Sequence, residues 1–259
     1  MDMSITIPMK EIGMNISRHF SKIFSLLTAI LFILSATSSL ADDLKGKTWL
    51  YTQTSQSQQS MTADKALQTL KEGNARFVQG HAKSRNLLKQ LKLTGGKGQY
   101  PFAVILSCMD SRGSPELIFD QGIGDIFSTR LAGNVLDADQ LGGIEFATSV
   151  VGSRLIVVMG HTHCGAVAGA CSGVELGSLT QLLQKIHPAV EDVKKAKNVT
   201  KLDCKDTAIV NEIAKQNVRN VVREIKSKSK MTSDLIDSGD VKIVGAIHDL
   251  HTGKVTFFE

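Results

Sequence analysis

The sequence predicts an α/β fold: a mainly parallel central β-sheet flanked by helices. Three observations carry this expectation. "YPFAVILSC" (100–108) and "RLIVVMG" (154–160) are apolar with no polar face, as parallel strands covered on both sides are. Segments of helical periodicity alternate with these runs. The closing stretch "VKIVGAIHDLHTGKVTFFE" reads as two strands joined by a turn at His251, Thr252 and Gly253. There is no internal repeat, and one domain over residues 61–259 accounts for the pattern.

Residues 1–41 belong to a different system. Arg18 and Lys22 precede an apolar run over 23–34, and Ser39-Leu40-Ala41 follows with small residues where a signal peptidase reads. This is the pattern of a secretory signal cleaved after Ala41. The apolar run falls short of the roughly 20 residues that span a bilayer. The basic part before Met14 is long, which makes Met14 a candidate start. Removing three basic and two acidic residues leaves 27 against 23, a mature charge of +4. The mature chain is therefore expected to be exported, to the bacterial periplasm, with no stable membrane anchor.

Residues 42–60, ending in "TQTSQSQQS", read as a flexible polar leader. Thr62 then caps a helix whose Ala66, Leu67, Leu70, Ala75 and Phe77 recur at helical spacing until Gly80. A short helix is expected over 86–93, stopped by Gly95-Gly96. Residues 125–130 form a second, shorter strand, and "LGGIEFATSVVG" is helical. "CGAVAGACSG" opens another helix after the strand at 154–160. Longer helices are expected over 178–196 and 205–228, the latter carrying Ile209, Ile213, Val218, Val221, Val222 and Ile225.

Apolar residues make up 42% of the chain, enough for a sizeable core, so four cysteines do not constitute a disulfide scaffold. The densest basic stretch, 194–205, alternates Lys with Asn, Asp and apolar residues and has no interleaved aromatics. It reads as a solvated face, and nucleic acid is not an expected partner.

Two motifs coincide in position. "SCMDSR" (107–112) follows one buried strand and "GHTHCGAV" (160–167) follows another. In open α/β sheets, ligands gather at the carboxyl ends of the strands, so the two loops can share a crevice. Cys108, His161 and Cys164 would supply two thiolates and an imidazole, a set that suits Zn²⁺ and leaves its fourth position open. Cys164, near a helix N-terminus, is further stabilised as an anion. Asp110 and Arg112 alternate with Cys108 and so point the same way on an extended segment. Asp110 can occupy the open position, or Arg112 can hold it away through a bidentate pair. On zinc it closes the site; on Arg112 it leaves the site open, and the metal lowers the pKa of its water to about 7.

Plainer readings stand beside this one. Cys108 and Cys164 can form a disulfide, and Asp110–Arg112 can be a structural salt bridge. His163 reads as a polar loop residue, His248 and His251 as surface or interface residues. Cys171 reads as a buried free thiol, with a Cys171–Cys204 disulfide as the alternative. Trp49 and Tyr51 read as packing on a partner.

Cys-x-Asp-x-Arg followed by His-x-x-Cys resembles the β-class carbonic anhydrases. The resemblance runs through "LKEGNARFVQG", "SPELIFDQGIGDIF", "RLAGNV", "GGIEFA" and "VGAIHDLHTGKV", over roughly 63–258. It implies a four- or five-stranded sheet, an N-terminal helical arm around a partner subunit, and active sites at a dimer interface. The assembly would be a homo-oligomer, a dimer or a tetramer of dimers. It implies one Zn²⁺ per chain on Cys108, His161 and Cys164. Asp110 would ligate the metal or orient its hydroxide, with Arg112 as its partner. The reaction would be reversible hydration of CO₂ to bicarbonate and a proton by zinc-bound hydroxide. Gly113-Ser114-Pro115 departs from the family's frequent Val and Pro, and "RLAGN" from its commoner "RNAGN" or "RVAGN". Gln121 sits near, but offset from, a position where some members contact bicarbonate. A CS₂ or COS hydrolase on the same zinc site, or a non-catalytic zinc protein closed by Asp110, are the alternatives. A thiol oxidoreductase is disfavoured because no Cys-x-x-Cys pair is present.

Overall fold

The computed structural model describes residues 49–258. The signal-peptide reading of 1–41 and the first part of the leader lie outside the described residues. Five strands form one sheet: β1 (Ala103–Ser107), β2 (Ile126–Arg130), β3 (Leu155–His161), β4 (Lys242–His248) and β5 (Val255–Phe258). Their order is β2-β1-β3-β4-β5. The first four are parallel and β5 closes antiparallel on β4. Every residue of β1 and β3 is buried, which is why these strands show no polar face in the sequence.

Alternate residues of the strands feed two cores. Ala103, Ile105, Leu155, Val157, Met159, Val244 and Ala246 pack on one side with Ala66, Leu70 and Phe119. Ala66 and Leu70 come from α2 (Ala63–Val78), whose cap is Thr62, accepting from the Lys65 N–H at 3.2 Å. Val104, Leu106, Ile156 and Val158 pack on the other side with Val218, Val221 and Ile225. These three belong to α9 (Thr207–Lys228), where Val210, Ile213, Ala214, Asn217, Val218, Val221 and Ile225 make the buried stripe. Gly245 lets that helix approach the sheet, since a Cβ there would lie 2.9 Å from Val218 and 2.6 Å from Phe258. A third apolar cluster sits at the carboxyl ends of the strands and includes Cys108, Cys164, Val167, Ile186, Val210 and Ile213.

Several expected boundaries move. Residues 49–60, expected to be flexible, are structured: α1 (Ser55–Gln59) is closed by a Thr54–Ser57 capping box. The polar composition is misleading because the amides serve backbone carbonyls. Gln58 Nε2 donates to Pro101 O at 2.8 Å, and Gln90 Nε2 to Tyr51 O at 2.7 Å. Trp49 and Tyr51 lie against each other and stay exposed, with Lys83 Nζ 3.8 Å from the Trp49 ring centre. Helix α3 (Leu87–Lys97) runs through Gly95 and Gly96 and stops at Gly98, whose φ of 87° ends it and whose N–H bonds Thr94 O at 2.8 Å. Between them and the next helices lies α4 (Pro115–Ile118), then α5 (Ala138–Glu145), which continues into a π-helical turn over Phe146–Val150.

After β3 come α6 (Gly165–Cys171), α7 (Gly177–Gln184) and α8 (His187–Lys197). The single helix expected over 178–196 is thus two. Pro188, in the first turn of α8, has no N–H to offer and its ring excludes the carbonyl four residues back, that of Gln184, where α7 ends. A last helix, α10 (Lys230–Asp237), was not anticipated; Ser229 caps it by accepting from the Thr232 N–H at 3.1 Å. No described helix is long and apolar enough to cross a membrane.

Candidate metal centre

β1 and β3 are register neighbours, so the chain leaves both at the same edge of the sheet. Cys108 follows β1, His161 is the last residue of β3, and Cys164 is the N-cap of α6. Their donor atoms lie within 4.8 Å of one another, and all three residues are buried. No disulfide joins Cys108 to Cys164; both are free thiols.

His161 is prepared for a ligand. Its Nδ1 lies 2.9 Å from Thr162 O, a contact that needs the proton on Nδ1 and leaves Nε2 with its lone pair. That Nε2 is buried and has no hydrogen-bond partner. An unpaired buried acceptor facing two thiols is costly unless something binds it. A hydrogen bond from Cys164 lowers Cys108 to about 4 against the opposing effect of burial, and the Gly133 N–H helps at 3.3 Å from Sγ. The same interaction, with burial, pushes Cys164 up. Two sulfurs with one imidazole nitrogen fit a metal of borderline softness such as Zn²⁺.

Asp110 is turned onto Arg112. Its Oδ1 accepts from the Arg112 backbone N–H at 3.0 Å and from Nε at 2.9 Å, while Oδ2 accepts from an Nη at 2.7 Å. The Arg112 hydrogen bonds hold the carboxyl far below the usual carboxylate range, although partial burial works the other way. Asp110 Oδ2 nevertheless lies 4.0 Å from His161 Nε2, at the edge of the donor cluster. All five site residues expected from the sequence therefore meet in one place.

Other groups hold the loop and were not singled out in the sequence. Arg130, at the end of β2, donates from Nε to Cys108 O at 3.0 Å and from an Nη to Asp110 O at 2.5 Å. Gly133, at φ 67°, has no room for a Cβ, which would fall 2.5 Å from Ile186 Cδ1. Its carbonyl accepts from Asn217 Nδ2 of α9 at 2.9 Å. Only the spacing of "RLAGN" at a strand end hinted at any of these, because each contact has a backbone atom on one side.

Of four outlying residues, one is placed as expected and three are not. His163 is an exposed loop residue at φ 55°, as anticipated, with its N–H bonded to Asn211 Oδ1 at 2.9 Å. His248, expected at a surface or interface, is buried: it ends β4 opposite His161, and its Nδ1 has no partner. Burial pushes its pKa down, and the neighbouring His161 adds to this. Cys171 is not free; it is disulfide-bonded to Cys204, because the fold brings their Cα atoms to 5.6 Å. Gln121 is not part of the donor cluster. Its amide donates to Phe119 O at 2.5 Å, and it lines a separate groove of about 470 Å³ with Phe77, Arg85 and Leu117.

Comparison with known proteins points one way. A family model described as carbonic anhydrase matches residues 103–255. Carbonic anhydrase 2 of Mycobacterium tuberculosis is 37% identical over 189 residues, covering 73% of this chain and 89% of that protein. Among solved structures, the β-carbonic anhydrase CafA of Aspergillus fumigatus superposes with a TM-score of 0.58 at 27% identity, over 76% of this chain and 90% of that one. A tetrameric β-carbonic anhydrase of Sordaria macrospora gives a TM-score of 0.57 at 25% identity, over 64% and 84%.

Proposed function

The chain belongs to the β-class carbonic anhydrases, and from that premise we propose that it hydrates CO₂ reversibly through one Zn²⁺ held by Cys108, His161 and Cys164. The observation that carries the zinc reading is the bare, buried Nε2 of His161 beside two buried free thiols, all within 4.8 Å of one another. Zinc bound there would lower the pKa of a coordinated water to about 7 and so supply a nucleophile at neutral pH.

The protein's own groups set the rest. Arg112 holds the Asp110 carboxylate, so that a metal on the three donors would keep room for water. Because its carboxyl is held strongly acidic, Asp110 remains an acceptor at neutral pH. It can orient a donor 3 Å or so away but cannot store the proton that hydration releases. That proton has to leave with buffer. A purely structural site would require Asp110 to turn onto the metal, and three hydrogen bonds to Arg112 oppose that.

We further propose that the enzyme is a homo-oligomer built from dimers and works outside the cytoplasm. Leu88 and Leu117 are 62% and 67% exposed and suit burial by a second copy. The disulfide suits an oxidising compartment. Light scattering and N-terminal sequencing of the mature chain, expected to begin after Ala41, test these two points.

The main test is stopped-flow CO₂ hydration from about pH 6.5 to 9 with zinc stoichiometry, on the wild type and Asp110→Asn. One zinc per chain and activity rising with pH are expected, with Asp110→Asn keeping the metal and losing most activity. One zinc per chain with no hydration across that range would sink the proposal.

A further inference from the structure

Helix α6 is a weak element in a demanding place. It has seven residues, includes Gly165 and Gly169, and buries only Val167 and Ala170. A helix so short does not sustain itself in water, and glycine weakens it further. Yet its N-cap is Cys164, whose side chain makes no capping hydrogen bond that would fix it. The backbone that aims this sulfur has to be held from outside the helix.

Two fastenings hold it. At the far end, Cys171 is bonded to Cys204, just ahead of Asp206, the N-cap of α9. At the near end, Asn211 of α9 accepts the His163 N–H at 2.9 Å, where the chain turns through φ 55° toward Cys164. A closed ring results. It runs from Cys164 along α6 to Cys171, across the disulfide to Cys204, into α9 as far as Asn211, and back to His163.

We propose that the Cys171–Cys204 disulfide is a positioning element of the metal centre that keeps Cys164 in ligating position. The inference rests on the zinc reading given above. The placement of the bond makes its effect local. Neither cysteine belongs to the two cores that pack the sheet; both lie against the cluster that contains Cys108 and Cys164. The bond also lines an open groove of about 690 Å³ with Lys194, Lys201 and Lys205, so a soluble reductant reaches it.

The test uses the zinc-loaded full chain. Cys171→Ala/Cys204→Ala removes both sulfurs, so that no stray thiol competes for the metal. Zinc release to a chromophoric chelator is followed well below the unfolding temperature. The thiolate-to-metal charge-transfer band of the cobalt-substituted protein reports ligand geometry, and circular dichroism reports the fold. The expected result is release faster by about 10-fold and an altered cobalt band, with the circular dichroism unchanged. Asn211→Ala, which opens the ring at its other fastening and leaves the disulfide intact, shifts release in the same direction. A lower unfolding temperature with zinc release and cobalt band unchanged in both variants overturns the proposal, and the zinc reading stands. A wild type that holds no zinc overturns both.

Discussion

The two halves of the metal site are held by different means. The Cys108–Arg112 half is fixed by reversible, charge-assisted hydrogen bonds: Arg130 grips the carbonyls of Cys108 and Asp110, and Arg112 grips the Asp110 carboxylate. The His161–Cys164 half is held by a strand register, apolar packing, the Cys171–Cys204 disulfide and one hydrogen bond from the His163 N–H to Asn211. Hydrogen bonds can exchange partners within a folded protein, whereas a disulfide cannot without a redox reaction. The half held by exchangeable hydrogen bonds is therefore the adjustable one, and the half that supplies two of three donors is the rigid one.

This contrast can be broken from either side. The largest effect is expected from the rigid half: His161→Ala removes the middle donor, so zinc content should fall well below one per chain and hydration to background, as read by metal analysis and stopped flow. Arg130→Met in the adjustable half frees two carbonyls without touching a donor. Metal affinity or activity should drop by about 10–100-fold, measured by competition with a chelator, with Arg130→Lys in between because Lys cannot span both carbonyls. Arg112→Lys keeps the charge and loses the fork that holds Asp110, so zinc content stays at one per chain. Activity should fall by about 10-fold or more at the acid end of the profile, where the released carboxylate competes with water.

A buried ion cluster away from the site supplies a control. Asp120 pairs with Arg76 and Arg85 and accepts the Lys83 N–H. Burial alone would raise its pKa, but these partners outweigh that and hold it below the ordinary carboxylate value. A lowered folded pKa stabilises the protein fully above the unfolded value of about 3.9 and loses that contribution as pH falls through the folded value. Asp120→Asn should cost about 3–5 kcal/mol near neutrality, because it leaves guanidinium groups without their carboxylate. Denaturant titrations should show the gap to wild type closing only in acid, below the ordinary carboxylate range. Zinc content should not change.

Much of this was legible in the sequence, and the exceptions have physical causes. The strands announced themselves because β1 and β3 are buried on both faces, and Thr62 marked its helix by its capping chemistry. Cys108, Asp110, Arg112, His161 and Cys164 were legible because short spacings constrain direction. The disulfide was readable only as the alternative to a free Cys171, because pairing depends on where the loop before α9 returns, and that is decided by packing far along the chain. The burial of His248 follows from its place between β3 and β5, which one polar residue at a strand end does not reveal. Arg130 and Asn211 act on backbone atoms and Gly133 acts through its own backbone, so no side-chain pattern betrays them. The break at Gln184 was missed, although Pro188 is the residue that imposes it.

The most direct test is CO₂ hydration of the metal-free protein, followed as zinc is added. Activity should rise in proportion to zinc, stop at one equivalent per chain, and stay at background in Cys164→Ala. Full activity before any zinc is added, or one equivalent bound tightly with none gained, would contradict it.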